Sequence, residues 1–314
     1  MRTLIYGLGN NFERNEKYVL THYDNPIFCD KNVARLNEFH DRTGQDLVAL
    51  DELDIDSLSE IVLTQVDYVP DIVRDFHCKG AEYNKIKVLD YDLESDGVLQ
   101  GNFAYGMKFY GQGGDDAILM FLFAQLNIPI ENVRYLEIGT NDPLHYNNTY
   151  NFYRAGARGI IVDPMPSSKY LSSLIRPEDK FMQVAVSGDK YDPNRTITFY
   201  ISSSSQGSSL DKSLIASVVE EIEVALVDVN FLLSIQEADL LVIDAEGQDE
   251  AILRSLNYDV YMPVVIEAEV NKTQDENDLE QFIIDKGYYV YARTIANTLF
   301  VRNDKKQLTD RLFC

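Results

Sequence analysis

The 314-residue chain is poor in basic side chains, in cysteine and in long apolar runs. Lys and Arg number 28 against 51 Asp and Glu, a formal net charge of −23. A field of that sign repels phosphate backbones and anionic lipid surfaces, so neither nucleic acid nor membrane is an expected partner. The acids are spread along the chain rather than gathered in one arm, as on a solvated surface. Three cysteines, Cys29, Cys78 and Cys314, are odd in number and far apart. They form neither a disulfide framework nor a CxxC metal site, and they fit a reducing cytoplasm. The apolar run Ala117–Ala124 falls far short of the roughly 20 residues that a membrane span needs. Nor does MRTLIYGLGN read as a secretory signal, because its apolar stretch stops at once in glycine. A repeat at solenoid periods is also missing. A cytoplasmic globular protein is the expectation.

What is present is a strand–helix alternation in two blocks. At roughly 100–200 residues per domain, the length suits two domains. Residues 1–92 carry strand signals at Thr3–Tyr6, Pro26–Cys29, Glu60–Leu63 and Ile86–Leu89, with a helix at Tyr68–Lys79. Residues 93–108 hold three glycines and little periodicity, and read as a linker. In residues 109–314 the helical segments are Gly114–Leu126, Thr149–Ala155, Gln248–Leu256 and Asp278–Lys286. Strand signals there fall at Val133–Ile138, Gly159–Val162, Phe181–Val186, Thr196–Ile201, Leu240–Ile243 and Val264–Ala268. Tyr288–Arg293 and Thr298–Arg302 read as a terminal hairpin. Such alternation predicts an α/β fold with parallel sheets and crossover helices in both blocks.

Three strand ends could carry chemistry. In the first block, Gly7-Leu8-Gly9 follows a strand, and Asp30 lies 23 residues beyond Gly7. Two glycines allow close approach to a pyrophosphate, and an acid at that distance can bind a ribose diol. The third glycine of that pattern is replaced by Phe12. In the second block, Glu137-Ile138-Gly139-Thr140-Asn141-Asp142 is a strand running into a glycine turn, with Asp163 24 residues after Gly139. Acids flanking the turn suit a cationic amine and sulfonium better than a pyrophosphate. The third strand end is Asp244-Ala245-Glu246-Gly247, behind the apolar run Leu240–Ile243. Two carboxylates at such an edge could act as general base, metal ligand or hydroxyl acceptor. Glu267 and Glu269 bring further carboxylate to the same edge.

Residues 108–302 resemble the FkbM family of S-adenosylmethionine-dependent methyltransferases. The likeness is carried by YGQGGDDAIL at Tyr110–Leu119, by LEIGTNDPLHYNNTYNFYRAGARGIIVDPMP at Leu136–Pro166, by Phe181–Ser187 with the Ser-rich Ser202–Ser209 loop, and by Asp239–Leu253. The resemblance implies a Rossmann-like class I methyltransferase domain, a seven-stranded mostly parallel sheet with an antiparallel terminal strand. A smaller Rossmann-like domain precedes it. It also implies S-adenosylmethionine as cofactor, with Glu137, Gly139 and Asn141 facing its methionine part and Asp163 accepting its ribose hydroxyls. Met165 would cover the adenine, and Gln112 and Asp115 would close the site. Asp244 and Glu246 would face the acceptor. Asn141-Asp142 stand where the most comparable members carry His-His, which leaves His145 as a substitute imidazole. The expected reaction is O-methylation of a sugar hydroxyl, on a glycan or a nucleotide-linked precursor, in surface polysaccharide biosynthesis. The first block is similar to small nucleotide-fold modules found ahead of catalytic domains in that biosynthesis.

A divalent ion on Asp244, Glu246 and Glu267 could assist but is not expected. The competing readings are a nicotinamide- or nucleotide-binding protein working through Gly7, Gly9 and Asp30, and an inactive methyltransferase-fold scaffold. A homo-oligomer is compatible with either.

Overall fold

A computed structural model describes residues 2–99, 102–104, 107–270 and 276–309. The chain divides into two units, Met1–Gln100 and Gly101–Cys314.

In the first unit the elements alternate: β1 (Arg2–Tyr6), α1 (Asn10–His22), β2 (Ile27–Cys29), α2 (Val33–Thr43), β3 (Leu58–Leu63), α3 (Val69–Cys78), β4 (Ile86–Val88) and α4 (Leu89–Ser95). Its sheet has the order β2-β1-β3-β4, and every pairing is parallel. That is the Rossmann-like arrangement expected of a strand–helix alternation. Residue 12, where a dinucleotide site would need glycine, is a core aromatic: the Phe12 ring packs edge-on to Phe28 and Phe39 at 5.9 and 5.4 Å. Asp30 is engaged with its own loop, accepting from the Leu8 N–H at 2.6 Å and from Asn32 N–H at 2.7 Å. Gly7 has φ +100°, and a Cβ there would overlap the Gln65 amide. The turn therefore needs its glycine for its own backbone conformation, with the Gln65 amide filling the space beside it. Cys29 is a buried thiol and Cys78 an exposed one; Cys314 lies outside the described residues. The stretch read as a linker begins inside α4, whose Leu93 is buried in this unit's core and whose carbonyl caps the helix by accepting from Val98 and Leu99.

The second unit opens with the hairpin β5 (Asn102–Ala104) and β6 (Met107–Phe109), then α5 (Asp115–Gln125), β7 (Arg134–Ile138), α6 (Tyr150–Arg154), β8 (Arg158–Val162), α7 (Pro166–Ile175) and β9 (Lys180–Met182). There follow β10 (Ala185–Val186), β11 (Thr196–Ser202), β12 (Val218–Val227), α8 (Val229–Ile235), β13 (Leu240–Ile243), α9 (Asp249–Ser255), β14 (Val265–Ala268), α10 (Glu276–Asp285), β15 (Tyr288–Arg293), β16 (Thr298–Arg302) and α11 (Lys306–Thr309). The main sheet is seven-stranded, β15-β16-β14-β13-β7-β8-β9. It is parallel from β14 through β9; β16 runs antiparallel to both β14 and β15. This is the seven-stranded, mostly parallel sheet that the resemblance implies.

Strand alternation sends Leu136, Ile138, Ile160, Val162, Leu241, Ile243, Ile266 and Ala268 into one core with α8, α9 and α10. Tyr135, Ile161, Leu240, Val242 and Val265 go into the opposite core with α5 and α6. Both faces are covered, which explains why β13 is apolar at every position and its neighbours nearly so.

Two segments depart from the sequence reading. Phe181–Val186 is not one strand: Val184 N–H donates to the Met182 carbonyl at 3.1 Å, and the chain turns out of the main sheet there. β10 then joins a separate three-stranded sheet, β10-β12-β11. β12 went unread because Glu220, Glu221 and Glu223 are exposed along it and mask its alternation.

Candidate active site

Three neighbouring parallel strands, β8, β7 and β13, end side by side and put their following residues around one cavity of about 250 Å³. The carboxyl edge of an open parallel sheet is where ligands bind, because helix N-termini and loop side chains converge there. Gly139 N–H and Thr140 N–H donate to the Val162 carbonyl, and Asp244 N–H donates to the Ile138 carbonyl. Gly139 has φ +89°, and a Cβ there would lie 1.7 Å from the Asp244 carbonyl oxygen. Glycine is thus required for β7 and β13 to approach this closely.

Of the residues expected from the sequence, Gln112, Gly139, Asn141, His145, Asp163, Met165, Asp244 and Glu246 line the cavity together. Asp163 accepts from Asn141 N–H and Met165 N–H, both at 2.8 Å, one on each carboxylate oxygen. The Ser168 side chain also eases the Asp163 charge. Burial pushes the Asp163 carboxyl up to about 6, against the pull of those two backbone N–H groups. Asn141 has φ +45°, and its Oδ1 has no partner, as is true of the buried Thr140 Oγ1.

Across the cavity, Asp244 and Glu246 line the cleft, each keeping part of its surface in contact with solvent. Enclosure by the cleft walls, and then the charges of Asp249, Glu246, Glu269 and Glu137, push the Asp244 carboxyl up to about 7. Enclosure together with Glu269 and Asp249 does the same for Glu246, also to about 7. Both are therefore poised to exchange a proton near neutrality. Glu246 sits in the left-handed region at φ +42°, and its carbonyl accepts from Ser209 Oγ at 2.7 Å. The Ser-rich loop is anchored to the carboxylate turn by that bond, and Ser205, Gln206 and Ser208 form part of the wall.

His145 lies 3.1 Å, through Nδ1, from Asp142 Oδ2. Asp142 Oδ1 accepts from Leu144 N–H and His145 N–H. Burial opposes the Asp142 charge, but His145 and the two backbone donors outweigh it and hold the carboxyl below its ordinary value.

Three expected site residues lie elsewhere. Alternation along β7 turns Glu137 away from the cavity, into the core it shares with Tyr135. There it accepts from Asn147 Nδ2 at 2.8 Å, Thr149 Oγ1 at 2.7 Å and Arg176 Nη1 at 3.1 Å. Arg176 is itself buried and also donates through Nε to Asp179 at 2.8 Å. Glu137 thus holds the loop behind the cavity and contacts no ligand space. Asp115 and Glu267 also lie outside the lining. Asp115 Oδ2 accepts from Thr294 Oγ1 and Asn297 Nδ2, and Glu267 Oε1 accepts from Asn148 Nδ2 and Asn297 Nδ2. Together they grip Asn148 and Asn297, which do line the cavity. Burial, followed by the neighbouring Asp115 carboxylate, raises the Glu267 carboxyl well above its ordinary value. Asp244, Glu246 and Glu267 therefore form no metal triad, and among the described residues no group of three His, Cys, Asp or Glu side chains is arranged to hold a metal ion.

Sequence reasoning missed Phe199 and Asn297 as cavity residues. They arrive from β11 of the small sheet and from the β15–β16 turn, and no local pattern marks them.

Residues 137–290 match the family model of the methyltransferase FkbM domain. No curated protein matches the chain. Among solved structures, a TehB-like SAM-dependent methyltransferase from Corynebacterium glutamicum aligns at 12% identity and TM-score 0.35, over 74% of this chain and 99% of that one. A 16S rRNA methyltransferase from T. thermophilus, solved with S-adenosylmethionine and guanosine, aligns at 10% identity and TM-score 0.35, over 96% of this chain and 88% of that one. Likenesses this distant do not bear on the acceptor. Among the described residues, no helix is long and apolar enough to cross a membrane.

Proposed function

Residues 137–290 of this chain are an FkbM methyltransferase domain, and from that premise we propose that the cavity binds S-adenosylmethionine and that the protein methylates a hydroxyl of a carbohydrate. The observation that carries this reading is the opposition of Asp163, at the end of β8, to Asp244 and Glu246, behind β13, across one cavity. When bound, the cofactor supplies a methyl group made electrophilic by its sulfonium.

The residues present suit that cofactor. Asp163 presents its carboxylate for the ribose hydroxyls, already oriented by the Asn141 and Met165 N–H groups. Met165, almost wholly buried, supplies an apolar, polarisable wall for the adenine. Gly139–Asn141 would flank the methionine part, where Thr140 Oγ1 and Asn141 Oδ1 lack partners in the free protein. For the acceptor, the wall offers the neutral groups of Ser205, Gln206, Ser208, Gln248 and Asn148. Such groups hydrogen-bond a polyhydroxy compound without demanding a charge on it. Glycan biosynthesis is the setting that follows.

Alignment of hydroxyl oxygen, methyl carbon and sulfur would supply most of the rate, up to about 7–11 kcal/mol for well-oriented reactants. A sugar hydroxyl is a weak nucleophile, so its proton must leave as the C–O bond forms. Asp244 is the group we assign to that proton, its carboxyl sitting at about 7. One observation favours a second candidate: His145 lines the cavity with its Nδ1 3.1 Å from Asp142 Oδ2, the imidazole–carboxylate pairing of a general base. Methyl transfer from labelled S-adenosylmethionine to a saccharide panel tests both. Asp244→Asn should still bind the cofactor, several-fold more weakly for the loss of one cavity charge, and lose turnover by 10²-fold or more, in the range of general-base effects. If His145→Gln abolishes turnover while Asp244→Asn does not, the base is His145; if neither variant loses turnover, both assignments fall.

A further inference from the structure

The cavity has an uncompensated charge. Asp142, Asp163, Asp244, Glu246 and Glu269 all line it, and among the described residues no Lys or Arg does. Asp142 has His145 beside it, and Asp163 has two backbone N–H donors. Asp244, Glu246 and Glu269 have no such relief: no ion pair reaches any of them among the described residues. A second and separate feature points to a ligand in this space. Thr140 is 4% exposed, and its Oγ1 is without a partner on the cavity wall.

We propose that this cavity is built to distinguish the charge of its cofactor, binding the cationic methyl donor tightly and its neutral product weakly, so that methyl transfer itself loosens the spent cofactor. The inference rests on the reading of the cavity as the S-adenosylmethionine site. The balance of the reaction supplies the switch. The acceptor oxygen forms a bond to the methyl carbon, the carbon–sulfur pair stays on sulfur, and the sulfonium becomes a neutral thioether. The hydroxyl proton passes to a cavity carboxylate. One positive charge thus leaves the cofactor and one negative charge leaves the wall.

Opposite charges a few ångströms apart at the partly screened dielectric of a cleft attract strongly enough to change affinity by an order of magnitude or more. The thioether keeps every other contact of the donor, so the two ligands differ in this site by charge and one methyl group. A cation in the cavity also removes the mutual repulsion of Asp244, Glu246 and Glu269. The outcome is an enzyme little inhibited by its own product.

Calorimetric titration of the full chain with S-adenosylmethionine, S-adenosylhomocysteine and sinefungin, which carries an ammonium in place of the sulfonium, reads this directly. The donor and sinefungin should bind at least tenfold tighter than the thioether at low salt. Raising the salt from 50 to 500 mM should shrink that ratio at least threefold, as for any partly exposed charge interaction. Glu269→Gln should also shrink it at least threefold, with S-adenosylhomocysteine affinity unchanged. The salt series needs no variant, so it decides even if Glu269→Gln fails to fold. Tighter or equal binding of S-adenosylhomocysteine overturns this inference and leaves the cofactor assignment standing. A ratio that ignores both salt and Glu269 overturns its electrostatic cause. Binding of none of the three overturns the assignment and the inference together.

Discussion

Glu137→Gln separates a structural carboxylate from a cofactor ligand. Three donors converge on Glu137, from Asn147, Thr149 and Arg176, at 2.7–3.1 Å. Glutamine has one acceptor oxygen, so its NH₂ must face either Asn147 or the Thr149 and Arg176 pair. At least one bond is lost, and the fully buried Arg176 keeps only Asp179 as a charged partner. A hydrogen bond to a charged group contributes about 1.5–3 kcal/mol, and breaking a buried pair by removing one partner costs about 3–5 kcal/mol. We expect a loss of about 3–5 kcal/mol. For a domain of this size that is a fall in Tm of roughly 6–20 °C. Scanning calorimetry measures the fall. Titration with S-adenosylmethionine well below the new Tm should give an affinity within about threefold of wild type, because Glu137 lines no part of the cavity. An unchanged Tm with affinity down tenfold or more would refute this reasoning and return Glu137 to the cofactor.

Asp163→Ala should weaken S-adenosylmethionine at least tenfold by calorimetry, since two charge-assisted hydroxyl contacts at about 1.5–3 kcal/mol each disappear; unchanged affinity would remove Asp163 from the ribose. Gly139→Ala forces a side chain into φ +89° and onto the Asp244 carbonyl, which should cost about 2–5 kcal/mol from strain and overpacking combined. It should also displace Asp244 and lower kcat, so a variant with normal melting and normal kcat would contradict the close approach. The pH dependence of cofactor affinity follows from Asp244 and Glu246, both raised to about 7. They are neutral below that pH and charged above it, so affinity for the cationic donor should rise several-fold from pH 6 to pH 8. S-adenosylhomocysteine should change less; a donor affinity that falls over that window has the wrong sign.

The parts of this fold that sequence exposes best are those where one physical requirement dominates. Leu240–Ile243 is apolar at every position because it is covered on both faces, and such runs mark individual parallel strands, while the seven-stranded sheet is what the family resemblance implies. Gly139, Asp163 and Asp244 could be placed at one sheet edge from sequence because each directly follows a strand, and Glu246 because it lies three residues past one. Glu137 misled because strand alternation, set by which helices cover which face, decides its direction, and its partner Arg176 is 39 residues away. Glu267 misled for the same reason: its direction is set by Asn148, Asn297 and Asp115, none of them neighbours in sequence. β12 was hidden by its outward acids. The glycine turn of the first unit looked like a phosphate loop, yet its geometry is accounted for by Gln65, Asp30 and the aromatic core around Phe12.

A crystal structure of the protein saturated with S-adenosylhomocysteine would test most directly that the cavity of the second unit is the methyl-donor site. The ribose hydroxyls should lie within hydrogen-bond distance of Asp163, the methionine part along Gly139–Asn141, and the thioether sulfur facing Asp244. A nucleoside lodged at Gly7–Gly9 and Asp30, with the Asp163 cavity empty, would contradict it.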